Sequence, residues 1–175
     1  MREFSARMRT VLAAVSAASV TASAAVAPPA FASQGWGLHG TYLAMSNGQW
    51  AKTNDTYRDA TSVTATWTIV TSCSYPTECT GTVTTDQNWT ATIYQKSGLW
   101  YVKRSVHGWQ HCPDGSAGDG FQEYKFWPAG QDGTVDEQSS TFFGEDHTMG
   151  PSGACGTSKP LVITMPFRLV KTSNE

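Results

Sequence analysis

Residues 62–79 read SVTATWTIVTSCSYPTEC, and the alternation within them predicts the fold of the chain. Apolar and hydroxyl-bearing side chains alternate with a period of two, which is typical of a half-buried β-strand. One face carries the apolar side chains Val63, Ala65, Trp67 and Ile69. The other face is largely threonine, and the strand ends at a turn between two cysteines. We therefore expect a core-lining strand that continues into a disulfide-closed hairpin.

Similar alternation recurs along the chain, and no window beyond the first 32 residues shows the apolar stripe of an amphipathic helix. About eight strands are predicted, at 41–45, 62–73, 79–85, 89–95, 99–106, 121–127, 139–143 and 161–171. Long loops are expected at 108–120 and 145–160. Consecutive hairpins make an antiparallel meander, and eight such strands can close into a small barrel. The prediction is an all-β barrel, closed or partly open, with a two-sheet sandwich as the alternative.

Two residues mark irregular points in these strands. Gly81 predicts a bulge or an edge in the strand at 79–85. Pro166 has no N–H to donate, so the last strand should be bulged or at an edge there.

The first 32 residues have the three parts of a secretory signal peptide. Residues 1–9 contain three arginines, residues 11–26 are an uncharged run rich in Ala, Val and Ser, and 30–32 read Ala-Phe-Ala. A membrane anchor is the alternative, but a spanning helix needs roughly 20 predominantly apolar residues. We expect cleavage before Ser33, which leaves 33–175 as a single exported domain without a transmembrane segment.

The expected mature chain is mildly acidic, with nine Lys and Arg against 13 Asp and Glu. A net charge of −4 argues against a surface dedicated to nucleic acid or to anionic membranes. Seven tryptophans, six tyrosines and seven phenylalanines argue equally against a disordered chain.

The four cysteines, Cys73, Cys79, Cys112 and Cys155, all lie in the expected mature chain. An even number after an export signal predicts disulfides, with three pairings open. We favour Cys73–Cys79, because these residues flank one turn, and Cys112–Cys155 then follows by elimination. The loop-entropy model gives roughly 2–2.5 kcal/mol for the short bridge and about 4 kcal/mol for the long one.

Short motifs in a fixed order resemble a family of small, uncharacterised secreted proteins of mycobacteria and related actinobacteria. The motifs are GTY at 40–42, GQWAKTN at 48–54, TWTI at 66–69, CTGTVT at 79–84, GPSGACG at 150–156 and MPF at 165–167. The resemblance implies export and disulfide bonding. It implies no activity and no functional residue.

No metal, cofactor or catalytic site is predicted. His107 and His111 lie about 13 Å apart on an extended chain, which is too far to share one ion unless the chain turns at Gly108. Residues 114–120 depart from the calcium-loop template and lack its distal glutamate. Ser152 lies in Gly-Pro-Ser-Gly, which is not a nucleophile elbow. The spacing of Glu123, Glu137, Glu145 and Asp146 singles out no carboxylate pair for sugar hydrolysis.

Tryptophans and one arginine are the candidate ligand-binding residues. Trp36, Trp50 and Trp109 fall in predicted loops, where an exposed indole suggests a contact surface. Arg104 falls on the apolar face of its strand, where it would pair with an inward carboxylate such as Glu123 or bind an anion. A rim arginine that covers the core with its stem is the alternative. Trp50, Trp109 and Arg104 are the predicted ligand contacts.

The resulting hypothesis is a secreted, non-enzymatic protein that binds a small apolar or amphipathic ligand, or a cell-surface partner, at one end of a barrel. An extracellular hydrolase of cell-wall sugars or esters is one alternative. A host-facing interaction module without a pocket is another.

The export and disulfide predictions are tested together by the intact mass of the protein from culture medium. We expect a chain that begins at Ser33 and is lighter than its reduced form by about four hydrogen masses. Detection of four free thiols would contradict the disulfide prediction, and an uncut N-terminus would contradict the signal peptide.

Overall fold

The computed structural model describes residues 36–173. The predicted leader, residues 1–32, lies outside the described residues. Within 36–173, no helix has the length and apolar character needed to cross a bilayer.

Ten strands and two short 3-10 turns form within the described residues. The strands are β1 (His39–Ser46), β2 (Lys52–Thr53), β3 (Thr56–Tyr57), β4 (Val63–Tyr75), β5 (Glu78–Thr85), β6 (Thr90–Lys96), β7 (Leu99–His111), β8 (Ala117–Pro128), β9 (Thr141–Met149) and β10 (Val162–Ser173). The 3-10 turns are Gly48–Trp50 and Ala154–Gly156.

The sheet closes because β1 pairs on both of its sides. It lies antiparallel to β4 on one side and to β10 on the other. Strands β4 to β10 follow one another as antiparallel neighbours, so eight strands form a ring. The short hairpin β2–β3 is added outside the ring, on the first half of β10. The prediction of a closed antiparallel barrel is confirmed, and the sandwich alternative is not the fold.

The alternation in β4 places its apolar face in the barrel interior. Ala65, Trp67 and Ile69 are buried, whereas the intervening threonines are exposed. Trp67 is 1% exposed and contacts four other aromatic residues at ring-centroid distances of 4.9 to 6.4 Å. These four are Trp89, Tyr124, Phe126 and Phe167. The core is therefore an aromatic cluster on the barrel axis.

Pro166 lies where β10 changes its neighbour. β1 pairs with β10 from Phe167 onward, and β2 pairs with Ile163 and Thr164. The Pro166 carbonyl accepts a hydrogen bond from Asn47 N–H at 2.9 Å on this same side. The missing proline N–H thus falls in a gap between two ladders, where it interrupts neither of them.

Gly81 lies in a continuous strand, so the predicted bulge or edge is wrong. It pairs with Thr71 on one side and with Ile93 on the other. A Cβ at this position would lie 2.0 Å from the carbonyl oxygen of Val70. Glycine is required because neighbouring backbone comes too close for any side chain.

Two predicted loops are much shorter in the structure. β7 and β8 extend through most of 108–120, and β9 continues to Met149. A bulge in β7 disguises its continuation, because register shifts between Val106 and Gln110. Gly108 adopts φ 62° there, and its N–H donates to the Asp119 carboxylate at 2.8 Å. The bulge breaks the period of two, which is why the sequence pattern indicated a loop.

The two disulfides expected from the sequence are present. Cys73–Cys79 joins β4 to β5 beside their turn, at one end of the barrel. Cys112–Cys155 joins the end of β7 to the loop between β9 and β10, at the opposite end. We name these the Cys73 end and the Cys112 end.

Replacement of Trp67 by alanine tests the importance of the aromatic core. We expect a loss of about 3–5 kcal/mol in the free energy of unfolding, because the change removes a fully buried indole and leaves a cavity. Urea denaturation measures the loss. Trp67→Phe, which retains one ring, should lose less, and Trp36→Ala at an exposed position should change stability by no more than about 0.5 kcal/mol. A Trp67→Ala protein as stable as the Trp36→Ala control would contradict the assignment.

Candidate functional site

The barrel interior has no room for a ligand at its centre. Buried side chains, among them Trp67, Phe126 and Leu169, fill the interior of the barrel that the structure describes. A gap of about 10 Å³ beside Trp67 is bordered by the exposed side chains of Val63 and Gln87, so it lies toward the end of the barrel opposite the Cys73–Cys79 bridge and holds at most one water. Any bound ligand must therefore contact an end or the outer wall of the barrel.

A cavity of about 580 Å³ opens at the Cys73 end, and we name it the mouth cavity. It lies among the chain segment before β1, the β4–β5 and β6–β7 turns, and the long β8–β9 connection. Its floor is apolar and includes Leu38, Tyr42, Trp100 and Phe142. Its polar lining includes Gln95, Glu137, Gln138, Ser139, Ser140 and Lys171. Small-ligand sites have volumes of roughly 300–1,000 Å³ and combine such surfaces.

The mouth cavity is lined by one acidic and one basic side chain, Glu137 and Lys171, and Tyr42 forms part of its floor. Burial raises the pKa of Tyr42 to about 12, so its hydroxyl stays neutral, and it donates to the His39 carbonyl at 3.3 Å. Lys171 Nζ lies 5.9 Å from the centre of the Tyr42 ring. Gln95 Oε1 is buried and accepts no hydrogen bond from the described residues. A cation and an unused amide acceptor thus flank an aromatic floor.

Arg104 points into the barrel and takes part in a polar cluster toward the Cys112 end. Its Nε donates to Gln122 Oε1 at 2.8 Å, and Gln122 Nε2 donates to Asp146 Oδ1 at 2.7 Å. Ser46 Oγ donates to Asp146 Oδ2 at 2.6 Å. The guanidinium lies 4.3 Å from the centre of the Trp89 ring, within cation–π range. We name Ser46, Arg104, Gln122 and Asp146 the polar cluster.

The predicted pairing of Arg104 with Glu123 is wrong. Glu123 is on the outer face of β8 and forms an ion pair with Lys103 at 2.6 Å. The inward carboxylate is Asp146, which reaches Arg104 through Gln122. Burial raises the pKa of the Asp146 carboxyl above its ordinary value, and hydrogen bonds from Ser46 and Gln122 offset part of that rise.

The two predicted tryptophans lie in different surroundings. Trp109 is in β7 and not in a loop, and it is half-buried against Gly120 and Gly150. Trp50 ends the first 3-10 turn and is 62% exposed. Trp36 lines the mouth cavity, whereas Trp50 lines a separate groove on the outer wall. The structure therefore does not bring Trp50, Trp109 and Arg104 together into one site.

The side chains of the sequence motifs that resemble metal or catalytic sites form hydrogen bonds within local turns and strands. The Asp119 carboxylate accepts a hydrogen bond from Gly108 N–H in the β7 bulge and also contacts His107 Nδ1 at 2.9 Å. Asp114 Oδ1 accepts from Ser116 N–H and hydroxyl, which closes a turn. Ser152 Oγ donates to the Ser158 carbonyl at 2.7 Å. Among residues 36–173, no group of three or more His, Cys, Asp or Glu side chains is arranged to hold a metal ion.

Sequence reasoning missed Asp146 and the polar lining of the mouth cavity. The signal for Asp146 was present, since Phe142, Asp146 and Thr148 share one parity and are all buried. The glycine at 144 interrupts that pattern and made the strand look finished after Phe143. Lys171 lies two residues after Leu169 and four after Phe167, which both point inward. The alternation of the strand could therefore have placed Lys171 on the inner face at the end of the barrel.

These features define a closed, eight-stranded antiparallel barrel with a filled interior and a cavity at one end. No protein-family model matches the chain, and no curated protein matches it significantly. Among solved structures, it is similar to the monomer form of the M. tuberculosis PknI sensor domain, with a TM-score of 0.56 and 19% sequence identity. The match covers 78% of this chain and 88% of that chain. At this identity the similarity shows a shared fold.

The buried carboxyl of Asp146 predicts a specific pH dependence of stability. Because its pKa is raised in the folded state, its ionisation opposes folding, and stability is lost as pH rises through that pKa. Asp146→Asn removes this ionisation, so its unfolding free energy should rise relative to wild type as the pH is raised above the ordinary pKa of an aspartate carboxyl. Glu145→Gln, an outward position on the same strand, is the matched control. Parallel pH curves for wild type and Asp146→Asn in urea denaturation would contradict the prediction.

Proposed function

We propose that the protein is an exported, non-enzymatic binding module that takes a small amphipathic molecule in its mouth cavity. The observation that supports this most directly is the cavity itself, with about 580 Å³ beside an aromatic floor and a polar rim. An apolar ligand segment would cover Tyr42, Trp100 and Phe142. A polar head would then reach Lys171 and the serines of the β8–β9 connection.

The filled interior supports a mouth site over an enclosed one. A central carrier would need open space among Trp67, Phe126 and Leu169, which are each at most 1% exposed. Binding at the mouth leaves the core packing intact, so the free and bound proteins can share one fold. A rigid barrel also limits the entropy that binding must offset.

Export is supported by two independent features. Residues 1–32 have the charge and apolar pattern of a signal peptide. Disulfides are typical of proteins in oxidising compartments, and all four cysteines of the chain form them.

A non-enzymatic role is supported by how the reactive side chains are used. His107, Asp114, Asp119 and Ser152 take part in a bulge and two turns, as described above. The similar solved structure is named a sensor domain, and a recognition role would suit this chain as well.

Native mass spectrometry of the protein purified from its natural source tests the proposal. A co-purifying lipid or other amphiphile that is lost on denaturation would support it. A bare protein mass, together with no binding of dodecanoate below its micelle concentration, would contradict it.

A lysine substitution locates the ligand. Lys171→Ala should weaken dodecanoate binding by about three- to tenfold, because the carboxylate loses a charged hydrogen-bond donor. Tryptophan fluorescence or calorimetry measures the change. Lys159→Ala, an exposed lysine in the β9–β10 loop, is the matched control and should leave the affinity unchanged. Equal effects of both substitutions would place the ligand elsewhere.

A further inference from the structure

A second concave site lies on the outer wall of the barrel, apart from the mouth cavity. It measures about 310 Å³ and is bounded by the first 3-10 turn, the β2–β3 hairpin and the outer faces of β8 to β10. We name it the outer groove. The side chains that matter for its chemistry are Trp50, Lys52, Tyr57, Trp127, Glu145 and Thr164.

Two aromatic rings in this groove are far more exposed than core packing requires. Trp50 is 62% exposed and Tyr57 is 66% exposed, although the barrel core is complete without them. Their ring centres are 6.4 Å apart and the ring planes meet at 79°. Trp127, from β8, adds a third aromatic side chain. These side chains present flat apolar surfaces that no described residue covers fully.

The 3-10 turn that carries Trp50 and the hairpin that carries Tyr57 are both fixed by hydrogen bonds. Asn54 N–H donates to the Val162 carbonyl at 2.9 Å, and Val162 N–H donates to Asn54 Oδ1 at 3.0 Å. At the start of the 3-10 turn, Asn47 Oδ1 accepts from Gln49 N–H at 3.0 Å. The groove is thus built before any ligand arrives, which lowers the entropic cost of binding.

The groove contains one lysine, Lys52, and one glutamate, Glu145, which do not form an ion pair with each other. Lys52 Nζ lies 5.0 Å from the centre of the Tyr57 ring. Among the described residues, neither Lys52 nor Glu145 forms an ion pair within 4 Å. The groove therefore offers a hydrogen-bond donor and a carboxylate acceptor beside its aromatic surfaces.

We propose that the outer groove binds a neutral carbohydrate. A sugar ring has C–H faces that pack on aromatic rings, and hydroxyls at its edge that both donate and accept hydrogen bonds. The C–H faces of a sugar ring would pack on Trp50 and Tyr57, and the hydroxyls at its edge would form hydrogen bonds with Lys52 and Glu145. The volume suits one or two sugar rings of a longer chain.

The carboxylate distinguishes this ligand from a proline-rich peptide, which also binds aromatic grooves. Proline carbonyls accept hydrogen bonds and could use Lys52, but proline has no N–H to donate to Glu145. Such a peptide would cover the carboxylate without satisfying it, at a cost. Sugar hydroxyls satisfy both groups.

The test is a titration of the purified protein with three neutral hexasaccharides, namely cellohexaose, maltohexaose and hexa-N-acetylchitohexaose. We expect at least one to bind, with a change in tryptophan fluorescence and shifts confined to outer-groove residues in NMR spectra. Trp50→Ala should weaken that binding by about tenfold or more. Glu145→Gln should weaken it less, by about three- to tenfold, because the amide still accepts but carries no charge.

Trp36→Ala is the matched control, since it removes another exposed tryptophan at the mouth cavity. It should leave sugar binding unchanged, and Trp50→Ala should leave dodecanoate binding unchanged. Three outcomes would overturn the proposal. The first is that none of the three sugars binds. The second is that a proline decamer binds to the wild type but not to Trp50→Ala, while no sugar binds. The third is that the protein forms a dimer that Trp50→Ala abolishes, while sugars have no effect.

Discussion

Trp67 packs inside the barrel against rings from two other strands, β8 and β10, and from the turn before β6, and the rest of the structure depends on this contact. A ring of eight strands leaves an interior that must be either filled or lined with polar groups. Here one indole supplies much of the filling, and its neighbours pack mostly edge-to-face around it. The outward threonines of β4 can be polar because the inward face alone supplies the core.

Filling the centre decides where recognition can occur. The interior offers no ligand space, so the concave surfaces are a mouth at the Cys73 end and a groove outside the ring. Between the aromatic cluster and the Cys112 end, the inward positions are polar. Arg104, Gln122, Asp146 and Ser46 are joined there by hydrogen bonds. These residues connect β1 with β7, β8 and β9 through side chains, so they link strands that are far apart in sequence.

The consecutive strands of the meander and the short disulfide were predictable from the sequence because each depends on local pattern, and the closed barrel was inferred from the number of strands. Alternation placed Trp67 and Trp100 inward, and the short turn between Cys73 and Cys79 indicated their bridge. Prediction failed where the period of two was broken by Gly108 or concealed by Gly144. It also failed for the surfaces, since Trp50 meets Trp127 and Glu145 through the pairing of β2 with β10. That juxtaposition depends on long-range register, which no single stretch of sequence contains.

Pairing of β1 with β10 brings Thr41 beside Ser173, near the two ends of the described chain. During synthesis from the N-terminus, every strand up to β9 exists before the partner that closes the ring. Until β10 (Val162–Ser173) has formed, β1 and β9 each keep a bare hydrogen-bonding edge. Closure also requires contacts of very high sequence separation, which slow folding and lengthen the time a chain stays open. The barrel is therefore completed only when β10 pairs with both β1 and β9, and removal of β10 alone would leave an open sheet prone to edge-to-edge association.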